Sequence, residues 1–188
     1  MAAHALLAAA SPWVRRFAPL IPPGEVLDLA CGSGRHARLL AELGHPVLAV
    51  DRDEQALAAC VAPGIRCEQH DLENGTPWPF AGRGFAGIVV TNYLHRPLFA
   101  PLLATLAPDG VLIYETFAAG NGQYGRPSSP GFLLQPGELI EQVRLHGGGL
   151  RILAYEDGYV DQPKSALVQR ICAVRRDTDA DPAKALAL

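Results

Sequence analysis

The residues best suited to chemistry in this sequence are two glycines and the acidic residues around them. Gly32 and Gly34 stand one residue apart, directly after an apolar run that contains Asp28, and Asp51 and Asp71 follow farther along the chain. Glycine lets the backbone adopt a positive φ and lets a ligand approach the main chain, while the free N–H groups of a following helix face that ligand. The pattern predicts a nucleotide-binding element.

These residues must be positioned by strands that alternate with helices. Short apolar runs predict strands, and segments of helical periodicity bounded by Gly, Pro or Asp predict helices. Strands separated by helices form a parallel sheet with right-handed crossovers. The predicted strands are residues 26–30, 46–50, 65–70, 85–91, 111–116, 150–160 and 165–174, and the predicted helices are residues 11–17, 34–43, 53–61, 97–106 and 137–145.

The length of 188 residues fits a single domain, and no internal repeat divides it. We expect an N-terminal helix and linker in residues 1–24, the core in 25–176 and a loose tail in 177–188. Residues 117–135 are rich in Gly, Pro, Ser and Asn and have no periodicity. A loop of that length in a compact domain is usually functional.

Composition limits the partners that this chain can have. A formal net charge of −3 argues against a dedicated nucleic-acid surface, because phosphate binding needs a basic face. Four cysteines occur without a Cys-x-x-Cys pair, so we expect no metal site and no disulfide framework, and a cytoplasmic location. The apolar stretch near the N-terminus is short and lacks a preceding Lys or Arg, and no stretch has the length of a membrane span.

The glycine loop alone leaves the type of nucleotide open. Gly32-x-Gly34-x-x-Ala37 also matches the dinucleotide fingerprint, with Asp51 near the distance expected for an acid that binds ribose hydroxyls. An NAD(P)-binding oxidoreductase is therefore one alternative. A cofactor-binding partner subunit without catalytic activity is the other.

Several segments, in order along residues 25–175, resemble the class I S-adenosylmethionine-dependent methyltransferases. Val-Leu-Asp-Leu-Ala-Cys-Gly-Ser-Gly at 26–34 is similar to the glycine-rich first motif of that family, and Val50-Asp51 and His70-Asp71-Leu72 are similar to its ribose and adenine segments. Residues 85–93 resemble the fourth motif and 106–113 the turn and strand after it. The Gly-Ser-Gly-Arg-His segment and the later Phe-Leu-Leu-x-Pro-Gly-Glu-Leu segment resemble small stand-alone members related to the tellurite-resistance methyltransferases.

The resemblance implies an α/β fold, a three-layer Rossmann-like sandwich whose seven-stranded, mostly parallel sheet ends in an antiparallel strand. It also implies S-adenosyl-L-methionine as cofactor, S-adenosyl-L-homocysteine as product, and no metal. Arg35 is a further candidate for the cofactor carboxylate or the acceptor. The residues expected to bind the cofactor are Asp28, Ala30, Gly32, Gly34, Asp51, Arg52, Asp71, Leu72, Thr91 and Asn92.

The methyl acceptor is expected beyond the carboxyl ends of the fourth and fifth strands, where ligands bind in open α/β sheets. We expect a small molecule there, methylated by in-line displacement with the protein supplying alignment and exclusion of water. Glu115 ends a buried strand, so it is expected to act in the site or to pair with Arg96 or Arg126. The catalytic candidates are Tyr93, His95 and Glu115; the acceptor candidates are Arg96, Tyr124 and Arg126; and the protein is expected to be a monomer or a homodimer.

Overall fold

One seven-stranded sheet forms the centre of the computed structural model, which describes residues 9–175. The strands are β1 Val26–Leu29, β2 Val47–Asp51, β3 Ile65–Gln69, β4 Phe85–Thr91, β5 Leu106–Phe117, β6 Arg151–Val160 and β7 Ala166–Val174. Their order across the sheet is β3-β2-β1-β4-β5-β7-β6. The pairs from β3 through β5 are parallel, whereas β7 runs antiparallel to both β5 and β6. The predicted fold class, including the antiparallel last strand, is confirmed.

Five α-helices cover the sheet within the described residues. They are α1 Pro12–Phe17, α2 Arg35–Glu42, α3 Glu54–Cys60, α4 Phe99–Ala104 and α5 Glu138–His146. Two of these helices begin at side-chain caps, where Ser11 accepts a hydrogen bond from the N–H of Trp13 and Asp53 accepts two from the first turn of α3. Short 3-10 turns follow at Ala18–Leu20, Arg96–Leu98, Asn121–Gln123 and Pro130–Phe132.

Alternation along the strands divides the core into two layers. Leu27 and Leu29 of β1 pack on the side that carries α4 and α5, together with Phe99 and Leu139. Val26 faces the other side, where Trp13, Leu40 and Leu57 of α1, α2 and α3 complete the second layer. Successive side chains of a strand point to opposite faces, so a sheet covered on both sides gives this three-layer arrangement.

The strand boundaries differ from prediction mainly around the turn at 108–110. We expected a helix over 97–106 and a strand only from 111, but α4 ends at Ala104 and β5 begins at Leu106. Asp109 has a φ of 58°, and the pairing with β4 shifts register between Phe85 and Gly87, so the turn residues form an irregularity inside a longer strand. The predicted loose tail at 177–188 lies outside the described residues.

The Gly- and Pro-rich segment at 117–135 is closed at its base. Ala118 and Leu134 form an isolated parallel bridge, and the N–H of Leu134 donates to the carbonyl of Phe117 across 3.0 Å. This pairing returns the segment to the end of β5. Within the described residues, no helix is long and apolar enough to cross a membrane.

The sheet order reverses direction between β1 and β4. Strands on one side of this point continue from β1 to β3, and those on the other continue from β4 to β5. Ligands in open α/β sheets bind at such a switch point, beyond the carboxyl ends of the strands. The glycine loop follows β1 and residues 91–95 follow β4, so both predicted motifs meet there.

Candidate active site

The loop between β1 and α2 uses a left-handed backbone at three positions. Ala30, Gly32 and Gly34 have φ values of 54°, 54° and 79°. A Cβ atom at Gly34 would lie 2.2 Å from the Sγ atom of Cys60, which leaves room only for glycine. The loop therefore turns sharply from the strand into the helix and presents its main chain at the carboxyl edge of the sheet.

Asp51 holds this loop from the neighbouring strand. Its Oδ2 atom accepts a hydrogen bond from the N–H of Gly32 at 2.8 Å, and its Oδ1 atom accepts one from the N–H of Asp53 at 3.0 Å. Each carboxylate oxygen has a second lone pair that remains for a ligand. The acid that ends β2 thus shapes the glycine loop and faces the space above it.

Asp28 lies beneath the loop, in a fully enclosed position. Burial raises its pKa to about 8, although the hydrogen bond from the Ala37 N–H and the charge of Arg35 act in the opposite direction. Its Oδ2 atom has no hydrogen-bond partner among residues 9–175. Asp28 is therefore largely protonated at neutral pH, and it supports the loop from below without lining a cavity.

A cavity of about 400 Å³ opens above the loop, and we call it the acidic cavity. Three carboxylates, those of Asp51, Asp71 and Glu73, face one guanidinium, that of Arg52. It contains six of the residues predicted to bind the cofactor: Ala30, Asp51, Arg52, Asp71, Leu72 and Asn92. Four other predicted residues, Asp28, Gly32, Gly34 and Thr91, do not line it. The sequence analysis did not assign Glu73, Leu94, Phe117, Pro127 and Phe132 to the site, although all five line this cavity.

Asp71 and Tyr93 come from two different segments of the chain that line this cavity. The Oδ1 atom of Asp71 accepts a hydrogen bond from the N–H of Glu73 at 3.0 Å, which caps the turn after β3. Burial, and then the neighbouring carboxylate of Glu73, raise the pKa of Tyr93 above its usual range. The Tyr93 hydroxyl is therefore neutral at physiological pH, so it can donate a hydrogen bond.

A second cavity of about 500 Å³ adjoins the first, and we call it the basic cavity. Its charged lining consists of five cations, Arg15, Arg35, Arg126, Lys164 and Arg170, and one acid, Glu115. Asn92 and Phe117 line both cavities, so the two cavities adjoin at these residues. Asn92 adopts a φ of 56°, and its N–H donates to the carbonyl of Glu115 at 2.9 Å, which fixes Asn92 to the end of β5.

Glu115 pairs with a residue that the sequence analysis did not consider. Its Oε2 atom lies 2.5 Å from the Nε atom of Arg170 on the antiparallel strand β7, and both side chains are nearly buried. The predicted alternatives, Arg96 and Arg126, are not its ion-pair partners. The pairing of β5 with β7 places residue 115 opposite residue 170, and sequence spacing alone gives no sign of that contact.

Arg96 lines neither cavity, and its guanidinium makes hydrogen bonds to other parts of the fold. Its Nε atom donates to Glu138 at 2.6 Å, and its terminal nitrogens donate to the carbonyls of Gly131 and Leu133 at 2.8 and 2.9 Å. Arg96 therefore fastens the 117–135 segment to the start of α5. His95, at the N-terminal end of the adjacent 3-10 turn, also lines neither cavity.

Tyr124 and Arg126, by contrast, lie where an acceptor was expected. Both line the basic cavity, and the Tyr124 ring lies 5.2 Å from that of Tyr159. Arg15, Lys164 and Arg170 join them from α1, the β6–β7 connection and β7. The sequence contained no local signal for these three, because they are brought together only by tertiary packing.

His36 connects the N-terminal segment to the sheet. Its Nε2 atom accepts a hydrogen bond from the N–H of Ser11 at 3.1 Å, and its Nδ1 atom lies 3.3 Å from the hydroxyl of Thr91. Burial, followed by the charges of Arg35 and Arg15, lowers the pKa of His36 to about 3. The neutral ring therefore holds α1 beside the basic cavity. Thr91 contacts His36 and lines neither cavity.

Comparison with known proteins identifies a domain in the first part of this chain. Residues 26–110 match a family described as a methyltransferase domain. The chain is 31% identical over 145 residues to the protein-L-isoaspartate O-methyltransferase of Chlorobaculum tepidum, which covers 75% of this chain and 64% of that protein. It is 31% identical over 107 residues to the trans-aconitate 2-methyltransferase of Delftia acidovorans, which covers 52% of this chain and 39% of that protein.

The fold agrees with this match. TehB from Haemophilus influenzae superimposes with a TM-score of 0.72 at 19% identity, covering 89% of this chain and 63% of TehB. Residues 26–110 therefore carry a methyltransferase domain, and the fold is the Rossmann-like fold of S-adenosylmethionine-dependent methyltransferases, as the sequence predicts. Another structural neighbour, the glycopeptide N-methyltransferase MtfA, was crystallised with S-adenosylmethionine and superimposes with a TM-score of 0.63 at 18% identity, covering 90% of this chain and 88% of MtfA. The matched part of the chain spans 64% and 39% of the lengths of the two relatives named above.

Proposed function

We propose that this protein transfers a methyl group from S-adenosylmethionine to a small molecule that occupies the basic cavity. The observation that carries the proposal is that Asn92 and Phe117 line both cavities, so a cavity suited to the cofactor adjoins one suited to an acceptor at these two residues. Methyl transfer requires the nucleophile of the acceptor to contact the methyl carbon directly, so the two ligands would meet beside these residues, and their alignment would supply much of the catalysis.

The acidic cavity fits the cofactor by charge as well as by size. The ribose hydroxyls would donate to the remaining lone pairs of Asp51, and Asp71 would face the adenine beside the apolar side chains of Leu72 and Phe132. Three carboxylates suit a ligand that carries a sulfonium and an ammonium group. They oppose the pyrophosphate of a dinucleotide, since like charges repel. This argues against the oxidoreductase alternative.

The remaining predicted cofactor residues support the loop in this proposal. Gly32 and Gly34 give the main chain its course, and Asp28 packs below them. Arg35 lines the basic cavity at the start of α2, from which its guanidinium would meet the cofactor carboxylate. Thr91 would act indirectly, by orienting His36.

The bound cofactor supplies an electrophilic methyl group next to a sulfonium. A lone pair on the acceptor would form the new bond to the methyl carbon, the electrons of the carbon–sulfur bond would stay on sulfur, and any acceptor proton would pass to solvent. The protein's part is to bind both partners, align them and exclude water. Tyr93 and Asn92 are placed to do so, whereas Glu115 is placed to position Arg170. We assign no role to His95 or Arg96.

A small acceptor suits the concave shape of the basic cavity, whose volume is typical of small-molecule sites. The two relatives point in different directions, since one acts on isoaspartate in proteins and the other on trans-aconitate. Transfer of labelled methyl groups to an isoaspartyl peptide, compared with transfer to trans-aconitate, separates these acceptor types. Transfer to the peptide alone would contradict the small-molecule proposal.

Calorimetric titration with S-adenosylhomocysteine tests the cofactor assignment. We expect binding to the wild-type protein and a loss of affinity in the Asp51→Ala variant. NADH should fail to displace S-adenosylhomocysteine; displacement would favour an oxidoreductase. Binding without methyl transfer to any acceptor would favour a partner subunit that lacks catalytic activity.

We also propose a cytoplasmic monomer or homodimer that does not bind nucleic acid. The four cysteines are unpaired in the described residues, which fits a reducing compartment. Five of the basic residues converge in one cavity, and the rest of the chain is acidic overall, so a broad phosphate-binding face is not favoured. Sedimentation in the presence and absence of duplex DNA measures the oligomeric state and tests for DNA binding.

A further inference from the structure

The basic cavity concentrates positive charge in a protein that is negative overall. The chain has 16 Lys and Arg residues against 19 Asp and Glu residues, yet five cations and a single acid line this cavity. Like charges held together in a partly enclosed space repel one another, and a bound anion removes that repulsion.

The single acid does not neutralise this excess. Glu115 lies 2.5 Å from Arg170, so its charge is already committed to one guanidinium. Burial lowers the pKa of Arg35, and the charge of Glu115 raises it in part, so the same carboxylate also acts on a second guanidinium. Even if Arg35 were occupied by the cofactor carboxylate, Arg126, Lys164 and Arg15 would remain.

Arg126 and Lys164 are the cations most available to a ligand. Both are exposed, and neither forms an ion pair within residues 9–175. Lys164 reaches the 117–135 segment, because its Nζ atom lies 3.0 Å from the position of a Cβ added at Gly125. Because Gly125 has no side chain, the ammonium of Lys164 has room to lie next to the backbone that carries Arg126.

The rest of the lining is largely apolar. Phe117, Pro163 and Val168 contribute from three different segments, together with Pro12, Val160 and Ala166. Such a surface binds the carbon skeleton of a ligand rather than a fully hydrated ion. The cavity therefore combines an anion-binding side with an apolar side.

We propose that the acceptor is an organic anion, with an acidic group held by Arg126 and Lys164 and an apolar body against Phe117 and Val168. This inference rests on the proposed methyl transfer, whose acceptor site it describes. Carboxylate, sulfonate and phosphate groups share the required charge. An inorganic oxyanion has that charge without the apolar body.

Two matched dyes test the inference. 1-Anilinonaphthalene-8-sulfonate and N-phenyl-1-naphthylamine share the same ring system, and only the first carries a sulfonate. In protein saturated with S-adenosylhomocysteine at constant ionic strength, fluorescence titration should show the anionic dye binding roughly tenfold more tightly, as expected for a charge-assisted contact. Equal affinities would overturn the proposal.

The double substitution Arg126→Gln and Lys164→Gln should remove most of this difference, with little change for the neutral dye. Both side chains are exposed, so folding should persist, and circular dichroism verifies this. The matched control, Arg144→Gln with Arg151→Gln, removes two exposed cations that line neither cavity. An equal loss in the control would contradict the assignment.

Two further measurements separate the remaining explanations. Inorganic phosphate should displace the anionic dye no better than chloride does; displacement at millimolar phosphate would point to an inorganic oxyanion and overturn the organic acceptor. Calorimetric binding of S-adenosylhomocysteine is measured in the same samples. If it fails, the proposed function fails, whereas normal binding with no preference between the dyes rejects only the organic anion.

Discussion

The N–H of Gly32 donates a hydrogen bond to the carboxylate of Asp51 across 2.8 Å. This contact joins the loop after β1 to the end of β2, and the second oxygen of the same carboxylate accepts from the N–H of Asp53. Asp51 also lines the acidic cavity. One side chain therefore holds the loop through one oxygen and the start of α3 through the other, and under the proposed function it would also bind the ligand.

The Asp51→Asn substitution tests whether Asp51 contributes to ligand binding or acts only as a helix cap. Asparagine has one acceptor oxygen in place of two, so either Gly32 or Asp53 loses its partner, and the negative charge is lost. We expect the affinity for S-adenosylhomocysteine to fall by roughly tenfold or more, measured by calorimetry. Asp53→Asn is the control, since asparagine caps helices as well as aspartate and Asp53 does not line the cavity. A similar loss in the control would contradict this account.

Arg96→Ala should destabilise the protein without weakening ligand binding at the basic cavity. The substitution leaves the Glu138 carboxylate with one hydrogen bond, from the N–H of Gln135, and it releases two carbonyls of the 117–135 segment. Because Arg96 is partly exposed, we expect a loss of about 1–3 kcal/mol in the free energy of unfolding, measured with urea. An unchanged stability with reduced acceptor turnover would instead support the sequence-based expectation that Arg96 binds substrate.

Asp28 should make the protein less stable as pH rises. Its pKa is raised from 3.8 to about 8 in the folded state, so between these values the folded protein holds a proton that the unfolded chain has released. Relative to Asp28→Asn, whose carbonyl still accepts from Ala37, the wild type should lose up to about 1.4 kcal/mol for each pH unit. Urea unfolding of both proteins from acidic to mildly basic pH measures this difference. A constant difference would show that Asp28 is ionised throughout.

His36 should give the opposite dependence. Its pKa is lowered from 6.5 to about 3, so below the unfolded value the unfolded chain binds a proton that the folded protein excludes. The wild type should therefore lose stability relative to His36→Gln as pH falls from 6.5 towards 3. Thermal unfolding of both proteins over that range tests the sign. If the difference in stability between the two proteins did not change with pH, His36 would be charged in the folded protein at low pH.

More of the lining of the acidic cavity than of the basic cavity was predicted from the sequence. Gly32, Asp51 and Asp71 follow strands whose apolar patterns are local, so their positions at one sheet edge follow from the alternation of strands and helices. Arg170 and Lys164 belong to the closing hairpin, and they reach the site only because β7 inserts between β5 and β6. Arg96 was assigned to the acceptor from its place after β4, but its partner Glu138 lies across the chain in α5.

The two cavities also differ in where their walls come from along the chain. The acidic cavity is built mainly from residues 30–94, inside the segment that matches the family, whereas only Arg35 and Asn92 of the basic cavity lie within that segment. Under the proposed function, substitutions in α1 and the β6–β7 hairpin would therefore change acceptor choice and leave the walls of the acidic cavity intact, because neither segment lines that cavity. A library of variants confined to those two segments is therefore the place to engineer a new acceptor specificity.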